Sequence, residues 1–428
     1  SSFLFGSLAV YSHLKKTGGN SDAEKIQKIF LHCGLHGKNG ETCQLYRKTK
    51  KKWGTEYAYR HPLGLCEEDF RRNIKRIEDG INIKKRMLNI SFQDIKQIDL
   101  KQNPIRQIKG HLTKTTTRKS VEIEYDGMIR IKVYNKPMTD YLEYEEMKSD
   151  EWKVPIGVDR VGQMVFHNFE DEPHFLTAGA TGGGKSSFLN MLIAHFIKTQ
   201  ADNVTFTLID LKGGIEFDRF QNCRQVVNYA ESPEEALQAL GNVLNEMFRI
   251  RDQLKDKGFR NCKEGGRKQR HFVVIDEVAE LSSGREPNKE RKKVKESCEF
   301  YLSEIARLSR AFGIRLITAT QHPTADVISP QVKRNSEGRL CFRVDDDVAS
   351  RVVLDITGAE SLPKIKGRAI YKIGSDVQMV QTPYISSSLI DEIIKPHIVI
   401  KPREEEVVHH EPTPRKNSPI IKKTRLSD

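Results

Sequence analysis

The segment Phe175-Leu-Thr-Ala-Gly-Ala-Thr-Gly-Gly-Gly-Lys-Ser186 limits what this chain can fold into more than any other. A short apolar run, Phe175–Ala178, enters a glycine-rich turn, and residues with helical patterning, Ser186–Thr199, follow it. The glycines let successive backbone N–H groups converge on one point without Cβ clashes. The helix start adds positive potential there, so the point suits a phosphate. Gly-x-x-x-x-Gly-Lys-Ser between a strand and a helix is the pattern of a phosphate loop. Gly179, Ala180, Thr181, Gly182, Gly183, Gly184, Lys185, Ser186 and Ser187 are therefore expected to hold ATP. Lys185 would reach the β- and γ-phosphates, and the Ser186 hydroxyl would ligate Mg²⁺.

Two further apolar runs end in chemistry. Phe272-Val-Val-Ile-Asp-Glu277 closes on adjacent carboxylates. Asp276, at the tip of this expected strand, would join Ser186 in the Mg²⁺ shell, and Glu277 would orient and polarise the attacking water. A glutamate directly after the metal-holding aspartate favours hydrolysis over mere binding. Leu316-Ile-Thr-Ala-Thr-Gln321 ends in an amide. If this strand lies beside the Asp-Glu strand, Gln321 can sense the γ-phosphate.

The surrounding pattern gives the fold class. From Trp152 onward short apolar runs (Val204–Ile209, Arg315–Ala319, Arg339–Val344) alternate with helical stretches (Pro233–Lys255, Val294–Ala311). Alternation of this kind predicts an α/β domain with a mostly parallel sheet covered on both faces. Residues 21–150 read as a small α+β domain: a helix over Asp22–Leu35, another over Leu65–Ile83 and a half-buried strand within Gly127–Tyr134. Between them, Arg47, Lys48, Lys50, Lys51 and Lys52 run directly into Trp53, a patch suited to nucleic acid or lipid headgroups but most simply a solvated turn. Residues 396–428 read as a disordered charged tail.

Charge and cysteines narrow the setting. With 71 Lys+Arg against 58 Asp+Glu, the net +13 suits a polyanionic partner. Seven scattered cysteines do not read as a disulfide framework, and the cluster His32, Cys33, His36, Cys43 has no usual zinc spacing. The apolar leader, residues 1–20, runs from Ser1 to Tyr11 and then into Lys15-Lys16. It reads either as the stub of a membrane anchor with its lysines on the cytoplasmic side or as a short buried helix.

Five blocks, in order, carry a family likeness: Pro173 through Ser186, Ile209-Asp-Leu-Lys-Gly-Gly, Val274-Ile-Asp-Glu-Val-Ala-Glu-Leu281, Ala306 through Pro323, and Asp355-Ile-Thr-Gly-Ala-Glu-Ser-Leu362. Over residues 150–385 the chain resembles the FtsK/HerA group of ring-forming DNA translocases. The resemblance implies a RecA-like P-loop motor over 151–395, acting as a homo-hexamer that threads DNA, with ATP held between subunits. It also implies an arginine reaching the site from the adjacent subunit. Arg249, in Glu246-Met-Phe-Arg, and Arg339, in Gly338-Arg-Leu-Cys-Phe, are the two candidates. DNA contacts would fall on two basic loops facing the channel, through Lys263, Arg267, Lys268 and Arg270 in one and Arg291, Lys292 and Lys293 in the other.

Chromosome-segregating members usually carry a winged-helix domain after the motor, whereas the 45 residues beyond Pro383 are polar and broken by prolines. The layout instead resembles the coupling proteins of Gram-positive conjugative elements. That likeness implies a place on the cytoplasmic face of the bacterial cell membrane, with a relaxase and secretion-channel proteins as partners. Chromosome translocation in division or sporulation is the first alternative. A type VII protein-secretion ATPase is the second, although those usually string several motors in one chain.

Overall fold

The computed structural model describes residues 22–82, 118–145, 152–284 and 286–399, together with the backbone of 86–88 and 112–114. The expected leader, Arg285 and the tail beyond residue 399 lie outside the described residues.

The first unit is built on a four-stranded antiparallel sheet in the order β1-β2-β6-β5. These strands are β1 (Gln44–Lys51), β2 (Gly54–Arg60), β5 (Ser120–Tyr125) and β6 (Ile129–Tyr134), while β3 (Arg86–Leu88) and β4 (Leu112–Lys114) pair separately. Alternation along β6 explains the sheet. Ile129, Ile131 and Val133 enter the core, while Arg130 turns out to bond Glu56 at 2.8 Å and Lys132 to meet Glu124. Helix α1 (Asp22–His32) lays Ile26 and Phe30 on this core, where Phe30 meets Tyr59 and Phe70 edge-on at 5.2 and 5.3 Å.

Two expectations change here. The single helix over Leu65–Ile83 is two, α2 (Glu67–Arg72) and α3 (Ile74–Ile81), broken at Asn73, which takes φ −99°, ψ 4° and caps α2. The basic run before Trp53 is strand β1, paired with β2 throughout, and only its end is a turn. Lysine-rich sequence has little strand propensity of its own. The β-branched and aromatic residues of β2 supply the template.

The second unit is a ten-stranded sheet in the order β11-β10-β12-β13-β9-β14-β15-β16-β7-β8. Six strands form its parallel part: β9 (Phe175–Ala178), β10 (Val204–Ile209), β11 (Val226–Ala230), β12 (Arg270–Ile275), β13 (Ile314–Thr320) and β14 (Gly338–Phe342). The antiparallel flank, which the sequence reading did not place, is β15 (Arg368–Ile373), β16 (Asp376–Gln381), β7 (Lys153–Val158) and β8 (Met164–Asn168).

Helices cover both faces of this mostly parallel α/β sheet. Phe272 and Val274 pack toward α4 (Lys185–Thr199) and α9 (Ser387–Ile394). Their neighbours Val273 and Ile275 pack toward α5 (Pro233–Asp256) and α6 (Lys289–Leu308). Strands buried on both sides read as continuous apolar runs, which is why their sequence was legible. Two short helices, α7 (Pro330–Asn335) and α8 (Asp347–Leu354), complete the described set. Helix α6 begins five residues before the expected Val294, because Asn288 caps it by accepting from Glu290 N and Arg291 N. The chain stays ordered past 395: Arg224 N bonds His397 O and Val399 N bonds Asn222 O, so the expected tail does not start at 396.

Candidate nucleotide site

Every parallel strand points its C-terminal end to the same edge of the sheet, and the site forms there. The loop after β9 turns at Gly182 (φ +79°) and Gly184 (φ +121°), conformations that L side chains rarely adopt. It is pinned from both sides, with Ala180 N bonding Arg343 O (2.9 Å) and Gly367 N bonding Gly183 O (2.8 Å). A Cβ on Gly179 would stand 2.5 Å from that of Phe342, so the loop's path depends on having no side chain there.

Strand β13 sits between β9 and β12. Its Thr320 and Gln321 therefore stand between the loop and the carboxylates. Lys185 Nζ donates to Asp276 O at 2.7 Å and to Asp276 Oδ1 at 2.5 Å, with both side chains buried. Asp276 Oδ2 is fully buried and has no partner. A buried carboxylate oxygen left bare beside the Ser186 end of the loop fits a Mg²⁺ shell.

Glu277 is 1% exposed and its oxygens are engaged throughout. Oε1 accepts from Thr320 Oγ1 (2.6 Å), and both oxygens accept from Gln321 N (3.1 and 3.0 Å). Oε2 meets Lys212 Nζ at 2.7 Å. The Gln321 side chain reaches the other way, its Oε1 accepting from Thr181 Oγ1 at 2.9 Å. Gln321 thus joins the phosphate loop to the glutamate.

Lys212 is the residue that sequence reasoning missed. It lies in the block Ile209-Asp-Leu-Lys-Gly-Gly, which was noticed for likeness alone. Buried Asp210 shapes its turn by accepting from Lys212 N (3.3 Å), Glu216 N (2.7 Å) and Phe217 N (3.0 Å). Gly213 and Gly214 complete the turn at φ +81° and +69°. A lysine held by a buried aspartate and followed by two glycines was the available signal.

A cleft of about 560 Å³ opens in front of the loop, lined by Thr181, Lys185, Ser186, Glu216 and Gln321 on one side. The opposite wall comes from Lys366, Gly367, Pro383, Tyr384 and the incoming segment Asp140–Leu142. That segment is stitched on by Tyr384 N to Leu142 O and Tyr144 N to Tyr384 O, both 2.8 Å. The rings of Tyr141 and Tyr384 stand 6.1 Å apart.

The other expected residues are more dispersed. Arg249, on α5, is exposed and, among the described residues, pairs with Glu246 at 2.6 and 2.7 Å. Arg339 is committed within its own subunit, to Ser336 O, Lys333 O, Val353 O and Asp355, and is 11% exposed. It sits near the start of β14, opposite Leu176 and away from the phosphate-loop end. As a group reaching a neighbour's nucleotide it is therefore set aside. Burial opposes the charge of Asp355, but Lys333 and Arg339 hold its carboxyl down to about 2.

Arg270 is also corrected. It is 6% exposed and forks onto Glu170 at 2.6 and 2.8 Å, with Arg315 adding a bond at 2.9 Å. Burial works against the Glu170 charge, yet the two guanidinium groups hold its carboxyl below the usual range. Its guanidinium is spent inside the motor and is not displayed on a surface loop. Arg267 is half-buried against Glu246, while Lys263 and Lys268 are exposed. Arg291, Lys292 and Lys293 lie on the first turns of α6 and not in a loop, with Arg291 3.5 Å from Glu234. The two basic sets also sit at opposite ends of β12, one before Arg270 and one after Ile275.

A phosphate loop, a buried aspartate with one bare oxygen and a following glutamate on one edge of a two-face-covered sheet define a P-loop ATPase. Residues 140–271, which hold the phosphate loop, match the FtsK/SpoIIIE family. The DNA translocase FtsK of Chlorobaculum tepidum is 33% identical over 281 residues, 60% of this chain and 33% of that protein. The DNA translocase FtsK of Campylobacter jejuni is 29% identical over 330 residues, 71% of this chain and 34% of that protein. The chain thus spans about a third of the length of the curated relatives it matches.

Among solved structures, the conjugation coupling protein TcpA of pCW3, in its monomer form with ATPγS, matches with a TM-score of 0.60 at 24% identity. That match covers 88% of this chain and 99% of TcpA. The cytoplasmic domain of the type VII secretion ATPase EccC of Thermomonospora curvata matches with a TM-score of 0.51 at 23% identity, over 60% of this chain and 32% of that one. At these identities the likeness establishes the fold.

Proposed function

We propose that this chain hydrolyses ATP to translocate DNA, as the coupling protein of a conjugative element. The observation that carries the hydrolytic part is the placement of Asp276 and Glu277 against the phosphate loop, with Gln321 bridging the two. When bound, Mg²⁺ supplies neutralisation of charge on the phosphates, held by Ser186 and Asp276. Lys185, which rests on Asp276, turns to the β- and γ-phosphates. Glu277 orients the attacking water and takes up its proton. Gln321 reports the presence of the γ-phosphate to Glu277 through its own backbone N–H. The aromatic wall of Tyr141 and Tyr384 offers a face for the base.

DNA as the load is supported by the net +13 and by relatives named DNA translocase. Conjugation is supported by the correspondence with a coupling protein over both units. In this reading the motor works as a homo-hexamer, Arg249 reaches the neighbour's nucleotide, and Lys263, Lys268, Lys292 and Lys293 face the DNA. The protein sits at the cytoplasmic face of the membrane beside a relaxase and a secretion channel. The test is phosphate release by the purified chain. DNA should raise the rate several-fold, and Lys185→Ala should abolish it. A rate indifferent to DNA but raised by a secreted polypeptide would place the protein with the secretion ATPases instead. A chromosomal translocase would show the same DNA stimulation but lose no conjugative transfer when its gene is deleted.

A further inference from the structure

Strand β1 is an edge strand whose residues are exposed at every position but half-buried Thr49. Side chains alternate across a strand, so Lys48 and Lys50 lie toward one face and Arg47 and Lys51 toward the other, with Lys52 in the turn that follows. Arg60 joins them at the far end of β2, its guanidinium 4.6 Å over the ring of exposed Tyr46. No ion pair is formed by any of these six cations among the described residues. Elsewhere in the same sheet, charges are matched: Arg130 with Glu56 and Asp126, and Lys132 with Glu124, while the Tyr134 hydroxyl donates to Glu122. The one carboxylate opposite β1 in the ladder, Glu56, faces Thr49 and is taken by Arg130. Like charges placed this close oppose folding unless something outside the sheet neutralises them.

We infer that this edge is a second DNA-binding surface, outside the motor, that grips the phosphate backbone without reading sequence. The inference rests on DNA being the motor's load. Lys48 and Lys50 stand ~6.7 Å apart on one face, two strand rises, and Arg47 and Lys51 ~13 Å apart on the other, so one side of the edge can follow a phosphate strand while the other meets a second. A ridge with cations on both sides suits a grooved polyanion better than a flat lipid surface. The aromatic groups agree with this. Trp53 is turned onto Tyr134 at 4.7 Å, and Tyr46 is capped by Arg60, leaving no free ring to enter a bilayer.

The experiment compares the full chain with a variant carrying Arg47→Gln, Lys48→Gln, Lys50→Gln, Lys51→Gln and Lys52→Gln, using a labelled 30-base-pair duplex of arbitrary sequence. Expected are at least a 10-fold loss of affinity near 0.1 M salt and a shallower dependence of log affinity on log salt, by up to about 4. ATP turnover without DNA should stay unchanged, and the melting temperature should hold or rise, since like-charge repulsion is removed. Equal affinity and slope in the two proteins would overturn the inference while leaving the DNA-pump reading standing. A native chain that binds no duplex at all would remove the DNA-pump reading itself. Loss of binding to phosphatidylserine vesicles with duplex binding intact would reassign the edge to lipid and overturn the inference too.

Discussion

The large sheet carries a buried ionic cluster at each end, and the two differ in how their carboxylates are closed. At the N-terminal end Glu170 has both oxygens engaged, by Arg270 and Arg315, and Arg270 is further tied to the carbonyls of Arg267 and Gln269. What is left over there is a single guanidinium nitrogen, Arg315 Nε. At the C-terminal end Asp276 keeps a bare oxygen, and Lys185 fills only its other one. The same ingredients therefore make a closed clasp at one end and an open receptor at the other. The saturated Glu170 fastens the sheet, whereas the bare oxygen of Asp276 is where a cation can enter.

Four substitutions sharpen or break this contrast. Glu277→Gln, at the open end, should lower kcat by about 10² to 10⁴ while ATP still binds, since only the water's activation is removed. Equal losses in binding and turnover would show that Glu277 holds the fold instead. At the closed end, Arg270→Ala strands a buried Glu170 and should cost about 3–5 kcal/mol in urea unfolding. Duplex affinity measured on the folded fraction should not move; a large drop there would return Arg270 to the DNA surface.

Next to Arg270 lies His271, half-buried and held by Thr205 and Thr207 at 2.8 and 2.9 Å, with its protonation pushed down to about 4 by desolvation. The unfolded chain takes up a proton near pH 6.5, whereas the folded one resists until about 4. Stability from this group is thus present above pH 6.5 and is lost as pH falls through that window, about 2 kcal/mol at pH 5. His271→Gln should flatten that part of the stability profile. An unchanged profile would mean that the buried histidines govern it.

The smallest expected effect is at Lys212. Lys212→Met leaves Glu277 Oε2 with Gln321 N alone and should lower kcat about 10-fold with the KM for ATP unchanged. A rise in KM instead would move Lys212 from the glutamate to the phosphates.

The sequence exposed whatever was written locally. The phosphate loop, the Asp276-Glu277 strand end and the central parallel strands carry their signals within a dozen residues, because double burial demands unbroken apolar runs. Partners far apart in the chain stayed hidden. Arg270 looked like one more cation in a basic loop, since its carboxylate stands 100 residues upstream. Lys212 was invisible as a functional group until the sheet order set β10 beside β12. Strand β1 was misread for the same reason, as its extended state is imposed by β2. Helix α6 was read short because its capping Asn288 sits in a charged run that looks like solvated loop.

The stitching of residues 140–144 onto Tyr384 has a mechanical consequence. The chain leaving the small unit forms one jaw of the nucleotide cleft, so any closing of that cleft would pull on β6 through the short connector 135–139. Arg368 bonds Thr139 O at 2.6 Å and Asp140 at 3.0 Å, which fixes the pivot at the motor's own sheet. The small unit is thus fastened to the wall of the nucleotide cleft, as a handle is to a hinge plate, and the surface that carries β1 shares its anchorage.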